Sequence, residues 1–393
     1  MTVSSFQPPA RVLMGPGPSD VHPRVLAATA RPTVGHLDPA FSAMMDEIKS
    51  LLRYAFQTEN ALTFPVSAPG SAGMEACFVN LIEPGDTVIV AINGVFGLRM
   101  KENVLRCGAT PVVVEDDWGT AISLDKVAQA FRDNPGARAL AFVHAETSTG
   151  VRSDAKALCT MAAESGALSI VDTVTGLGGI PVQVDDWGAD AVYSGTQKCL
   201  SCPPGLSPVT FSDRAADVVR NRKTPVQSWF LDLSLVMGYW DGSGGRSYHH
   251  TAPVNALYGL HEALVMLREE GLEAAWARHD RLHHALVTGL QAMGLEMLVD
   301  EDHRLPQLNA VCVPEGVDEA AVRKALLDDY GIEIGAGLGA LAGKVWRIGL
   351  MGQSCTPRHV TLCLAALEGT LARFQANIAT GQAVAAAQRA LAA

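Results

Sequence analysis

From Leu62 to Asp172 the chain alternates short, near-continuous apolar runs with segments whose apolar positions recur every three or four residues. Leu62–Val66, Thr87–Ile92, 111–114, 139–144 and Leu168–Asp172 are too short for helices, so they read as buried strands. Helices are expected between them at 96–106, 124–131 and 153–165. Ahead of them, 41–56 places Met45, Ile48, Leu51, Leu52 and Ala55 on one face, the signature of an amphipathic helix. The runs at 190–193 and 208–211 extend the strand series. Strands apolar on both faces and separated by helices predict an α/β fold, a mainly parallel sheet covered on both sides. Beyond Phe211 the alternation stops. Long helices are expected at 255–270 and 272–293, then a smaller α+β region. That region has strands at 309–313 and Val345–Gly349 and helices at 319–327 and 357–374. The Ala/Gln-rich stretch 376–393 reads as a loosely docked helix.

Composition sharpens this. With 393 residues, 48% hydrophobic and 18% charged, the chain can bury a large core. A net charge of -11 argues against nucleic acid or an anionic membrane as partner. A small anionic substrate remains compatible with it, through a local cationic pocket. No apolar run reaches the length of a membrane span, and the first residues lack the pattern of a signal peptide. The eight cysteines have no framework spacing and are expected as free thiols in a reducing cytoplasm. Cys199 and Cys202 form a C-x-x-C without a second pair, which argues against a metal site.

In a parallel sheet the turns after the strands carry the chemistry. Lys198 follows the 190–193 run and precedes Pro203-Pro204-Gly205, so stiff backbone holds it on both sides. Most lysines after a strand are solvated. A buried one is useful when its amine bonds covalently to a carbonyl cofactor. Asp172 ends a strand, where it can cap a turn or neutralise a protonated ring nitrogen. Gly70 and Ser71 open a helix, where free N–H groups suit either an ordinary cap or a phosphate. Phe96 offers a ring face, or plain core. Imine, ring nitrogen, ring face and phosphate are together the handles of pyridoxal 5'-phosphate (PLP).

With Gly15-Pro16-Gly17-Pro18, Met74-Glu75-Ala76, Glu146-Thr147-Ser148-Thr149-Gly150, Val171-Asp172, Ser194-Gly195-Thr196-Gln197-Lys198, Tyr248-His249-His250-Thr251 and Arg347-Ile348-Gly349, the sequence resembles the class V aminotransferases. The nearest branch is the alanine–glyoxylate (serine–pyruvate) one. The resemblance implies fold type I, a seven-stranded, mainly parallel sheet sandwiched by helices. It implies an arm at 1–19, a large PLP-binding domain at 20–265 and a small α+β domain at 266–393. It implies a homodimer with shared active sites. By position, Lys198 would be the Schiff-base lysine and Asp172 the partner of the pyridinium nitrogen. Phe96 would stack on the cofactor, with Gly70, Ser71 and Gln197 at its phosphate and Thr147 and Ser148 along its loop. Tyr248 and Thr251 would reach the phosphate from the neighbouring subunit. Arg347 would hold the substrate carboxylate, with Ser148 and Gly35 beside it. The implied reaction is ping-pong transfer of an amino group from alanine or serine to glyoxylate or pyruvate. Ureidoglycine as donor is the alternative within the family.

Some residues depart from the family's pattern or point elsewhere. Pro69 removes one N–H from the phosphate turn. Gly335–Gly339 mimics part of a dinucleotide loop and is expected as a flexible loop on the substrate side. Adjacent His249 and His250 are expected on opposite faces of an extended segment. Cys355 stands in a polar stretch and is the one candidate nucleophile for a rival PLP desulfurase. A non-catalytic interaction protein is a third reading, opposed by intact Lys198, Asp172 and Arg347.

Overall fold

The computed structural model describes residues 3–240 and 246–392. Seven strands form the main sheet: β1 (Leu62–Val66), β2 (Thr87–Ile92), β3 (Thr110–Glu115), β4 (Ala139–Val143), β5 (Leu168–Asp172), β6 (Ala191–Tyr193) and β7 (Ser207–Phe211). Their order is β1-β7-β6-β5-β4-β2-β3, and only β7 runs antiparallel to its neighbours. Every residue of β4 and β5 is buried, which is why β4 reads as an unbroken apolar run and β5 as one interrupted by Ser169 before the closing Asp172. β3 lies at an edge, where Pro111 removes a donor at little cost.

Helix α1 (Pro39–Phe56) starts on Asp38, whose side chain accepts from Ala40 N–H, with Pro39 in the first turn. Phe41, Met45, Ile48, Leu52 and Ala55 face the core at the predicted spacing. Among the helices that went unread in the sequence are Asp213–Arg220 and Leu233–Trp240. Both are short, eight residues each, and too brief for a clear period.

A second sheet, β8 (Leu308–Cys312), β9 (Gly335–Ala336) and β10 (Val345–Gly349), has the order β8-β10-β9. It packs in its own core with Trp346, Leu286, Val360 and Leu367. A small apolar cluster joins the two, with Ala145, Ile180 and Cys199 from one side and Leu305, Leu308 and Met351 from the other. The C-terminal helix is firmly docked rather than loose: Ala383–Ala392 buries Ala383 and Ala387 in the second core. Its small side chains allow close approach to the helix Leu272–Ala292, where a Cβ on Gly289 would lie 3.0 Å from Ala383 O.

The N-terminal arm is stitched to both halves. Val12–Leu13 pairs with Ile332–Glu333, Gly349 N–H donates to Met14 O at 2.7 Å, and Ser19 N–H donates to Gln197 O at 2.9 Å. A Cβ on Gly349 would stand 2.0 Å from Gly15 O. Gly349→Ala is therefore expected to lower stability by about 1–3 kcal/mol through overpacking, read as a fall in the midpoint of urea unfolding.

Candidate active site

The C-terminal ends of the parallel strands share one edge of the sheet, and the singled-out residues gather there. Asp172 closes β5, and its registered neighbour on β6 is Tyr193. Registered residues of a parallel pair point to the same face. The Tyr193 hydroxyl accordingly donates to Asp172 Oδ2 at 2.7 Å, while Val174 N–H donates to Oδ1 at 2.8 Å. Asp172 thus caps a turn and keeps a buried acid at the sheet edge. Burial pushes its carboxyl up to about 7, against the lowering effect of those two bonds.

Lys198 follows β6 in a loop fixed by Ser194 N–H to Pro208 O (2.8 Å) and Cys202 N–H to Thr196 O (3.0 Å). The residue is only 8% exposed, and its Nζ donates to Pro16 O of the arm. Burial first, and Arg347 second, bring its ammonium down to about 8. Gly17 has φ +93°, and a Cβ there would lie 2.7 Å from Nζ, so glycine is required on both counts.

β1 leads into α2 (Gly70–Leu81), whose N-cap is Pro69, with no side-chain cap. The Gly70 and Ser71 N–H groups have no acceptor among the described residues. Gln197 is half-buried, and its Oε1 also lacks a partner. The open N–H groups are donors by which a dianion could be held.

α3 (Val95–Arg106) begins after Gly94, which has no side chain to cap it. Ser148 Oγ takes the Val95 N–H at 2.9 Å, and Glu146 Oε2 takes the Phe96 N–H at 3.3 Å. Ser148 in turn donates its hydroxyl to Glu146 Oε1 at 2.6 Å. The Ser148 proton is therefore committed inside the protein. Phe96 is half-buried, with the Arg99 guanidinium carbon 4.8 Å from its ring centre. Thr147 is buried, its Oγ1 2.5 Å from Thr175 Oγ1.

Arg347, in β10, donates from Nε to Ala336 O (2.7 Å) and from Nη1 to Thr147 O (3.0 Å). Nη2 carries no hydrogen bond among the described residues. Burial lowers the guanidinium to about 10, with Glu146 opposing. Gly335–Ala336 is thus a paired strand that orients Arg347, and not the flexible loop expected. Tyr248 is 61% exposed, with its hydroxyl 3.5 Å from Thr251 Oγ1 and its ring 5.4 Å from that of His36. Thr251 and Gly35 are exposed as well, away from the buried cluster.

Two other expectations change. His249 and His250 do not turn to opposite faces: their Nδ1 atoms share a hydrogen at 2.7 Å, and His250 Nε2 reaches Ser67 Oγ at 2.7 Å. Cys355 is fully buried, and burial pushes its thiol up to about 12, which removes it as a nucleophile. Sequence reasoning missed Tyr193 and Glu146. Tyr193 lay inside an apolar run, and only its strand-end register with Asp172 would have marked it.

A parallel sheet of this order, with a buried lysine after one strand and an acid closing the next, defines the fold-type I PLP transferases. The chain belongs to the class V aminotransferases: the pattern of the family described as aminotransferase class-V matches residues 19–353. It is 40% identical to an alanine–glyoxylate aminotransferase of Callithrix jacchus, covering 92% of this chain and 88% of that one. The crystal structure of ureidoglycine–glyoxylate aminotransferase from Bacillus subtilis superposes with a TM-score of 0.97 at 40% identity, over 99% of this chain and 100% of that one. That of alanine–glyoxylate aminotransferase from Nostoc sp. gives 0.92 at 46% identity, over 94% and 98%. Among the described residues no helix is long and apolar enough to cross a membrane, and no cluster suits a metal ion.

Proposed function

We propose that this aminotransferase moves an amino group from alanine or serine to glyoxylate, with pyruvate as a second acceptor, using PLP held at the edge formed by β1, β2, β5 and β6. The observation that carries this reading is a buried amine, Lys198, in the loop after β6, beside the strand that the buried acid Asp172 closes, with the buried Arg347 tied to Thr147 O. The donor set fits the cofactor: uncapped N–H groups at Gly70 and Ser71 and the Gln197 amide for its phosphate, Asp172 for its ring nitrogen, and Phe96 for its ring face. When bound, PLP supplies an aldehyde for an amine and a ring that withdraws electrons from the substrate carbon.

The protein's own contribution follows from its geometry. Arg347 holds the carboxylate common to amino acid and 2-oxo acid, its fork pre-aimed by Ala336 O and Thr147 O. Lys198 Nζ, with its proton affinity brought down by burial, takes the proton from the substrate Cα and later returns it. Asp172 supplies a negative charge for the ring nitrogen, its ionised form favoured by the bonds from Tyr193 and Val174 against the effect of burial. Thr147 shapes the wall beside Arg347. Ser148 acts through Glu146 and α3.

A second copy of the chain completes the site in this reading. Trp229, Phe230, Leu235 and Tyr248 are exposed large side chains, and a homodimer would cover such an apolar patch. Tyr248 and Thr251 would then present hydroxyls to the partner's phosphate. The described cysteines are all free thiols, which suits the cytoplasmic setting inferred for it.

The likeness to the Bacillus subtilis structure favours a second reading with ureidoglycine as donor. A panel of alanine, serine and ureidoglycine against glyoxylate and pyruvate separates them. Glycine formed from glyoxylate with alanine or serine supports the first reading, and glycine formed only with ureidoglycine supports the second. No glycine from any donor overturns both.

Tyr193→Phe tests the role given to Asp172. Losing the hydroxyl removes a bond that lowers the Asp172 carboxyl, so its proton affinity rises and the carboxylate is lost at a higher pH. A hydrogen bond to a charged group is worth about 1.5–3 kcal/mol, so PLP affinity is expected to fall about tenfold or more. The loss is expected to be larger at pH 6 than at pH 8, as followed by fluorescence titration of the apo-protein.

A further inference from the structure

We infer that Glu146 is a positioning residue that couples the ring-stacking helix to the substrate-carboxylate arginine, and is the fixed counter-charge of that arginine. This rests on Arg347 holding the substrate carboxylate, as proposed above. Glu146 is fully buried and ends the short strand Ala145–Glu146, just past β4. Its Oε1 receives Ser148 N–H at 2.9 Å and Ser148 Oγ–H at 2.6 Å, and its Oε2 receives Phe96 N–H at 3.3 Å. Every one of these neighbours donates, and they include the Phe96 N–H in the first turn of a twelve-residue helix. Burial pushes the acid up, and the shell of donors and the helix N-terminus oppose that by favouring its carboxylate form.

The glycine before α3 is part of the same device. A Cβ on Gly94 would lie 2.4 Å from both Cγ and Cδ of Glu146 and 2.5 Å from Ser148 Oγ. The helix therefore starts without a cap of its own, and the Glu146 side chain occupies the space a cap would fill. On its other side the same loop reaches the arginine: Thr147, between Glu146 and Ser148, gives its carbonyl to Arg347 Nη1. One short loop thus sets the position of Phe96 at one end and of the guanidinium at the other.

A carboxylate so placed opposes a second carboxylate arriving at Arg347. It weakens ground-state binding while keeping the arginine oriented, which favours release of the acid product.

The test is binding of glycolate to the holoenzyme by calorimetry, with kcat and KM for glyoxylate alongside. Glycolate carries the carboxylate and cannot accept an amino group. Glu146→Gln keeps the reach and removes the charge, and glycolate is expected to bind about three- to tenfold more tightly, with lower KM and lower kcat. Glu146→Asp keeps the charge and shortens the reach. It is expected to bind glycolate within about twofold of wild type while kcat falls about tenfold as Phe96 shifts. Unchanged or weaker glycolate binding in folded Glu146→Gln overturns the inference. If that variant does not fold, Glu146→Asp decides alone, and either unchanged kcat or altered glycolate affinity overturns it. Arg347→Gln is the control: if wild type and Arg347→Gln bind glycolate equally, the carboxylate reading itself fails, apart from any role of Glu146.

Discussion

Lys198→Ala is expected to eliminate transamination. Positioned proton transfer alone accounts for about 10²–10⁴-fold of rate, and loss of the covalent attachment point removes a further nucleophilic contribution. The variant should also lack the visible band that PLP gives on a protein amine, and borohydride should fix no pyridoxyl group at residue 198. The pH dependence is specific. Burial has brought this amine down to about 8, so the neutral, reactive fraction grows as pH rises and levels off above that value. The rate of PLP uptake by apo-protein should therefore climb from pH 6 to about 8 and then flatten. A rate still climbing steeply at pH 10 would mean an ordinary solvated lysine, and stopped-flow absorbance distinguishes the two.

Arg347→Gln should be the next most damaging change. The guanidinium is held by two backbone carbonyls at 2.7 and 3.0 Å and keeps Nη2 for a ligand. Hydrogen bonds to charged groups are worth about 1.5–3 kcal/mol each, so losing a two-pronged contact should lower kcat/KM about 10²–10⁴-fold. KM should carry most of the loss for both amino acid and 2-oxo acid, since the same fork serves each. Arg347→Lys should recover only part of it, because a single ammonium cannot match the planar fork. Steady-state kinetics at fixed donor and varied acceptor, then the reverse, checks this. Equal losses in kcat with KM unchanged would instead mean a contact made only in the transition state.

Legibility in the sequence differed from residue to residue for physical reasons. β4 and β5 are buried on both faces, so their apolar runs stood out, and the position of Asp172 at a strand end was plain. Lys198 was visible because Pro203-Pro204-Gly205 stiffens the chain behind it. Glu146 lay in a motif already singled out, but its partner on α3, Phe96, is fifty residues earlier, joined to it only by the sheet. Ser148 carried a hydroxyl of the right kind, yet the fold commits that proton to Glu146. Cys355 had polar neighbours in sequence and lies in an apolar core, because residues far from it supply the walls.

By itself the sequence determined the local terms: which segments bury both faces, where helices open without a cap, and which strand ends carry an amine or an acid. Periodicity and turn chemistry act over a few residues, and a single chain displays them directly. Tertiary structure alone decided the environment of each group. It laid Pro16 over Lys198, set Tyr193 beside Asp172 through a parallel register, and turned Glu146 to the start of α3. Desolvation and hydrogen-bond partnership depend on what packs around an atom, and those neighbours come from strands and arms distant along the chain.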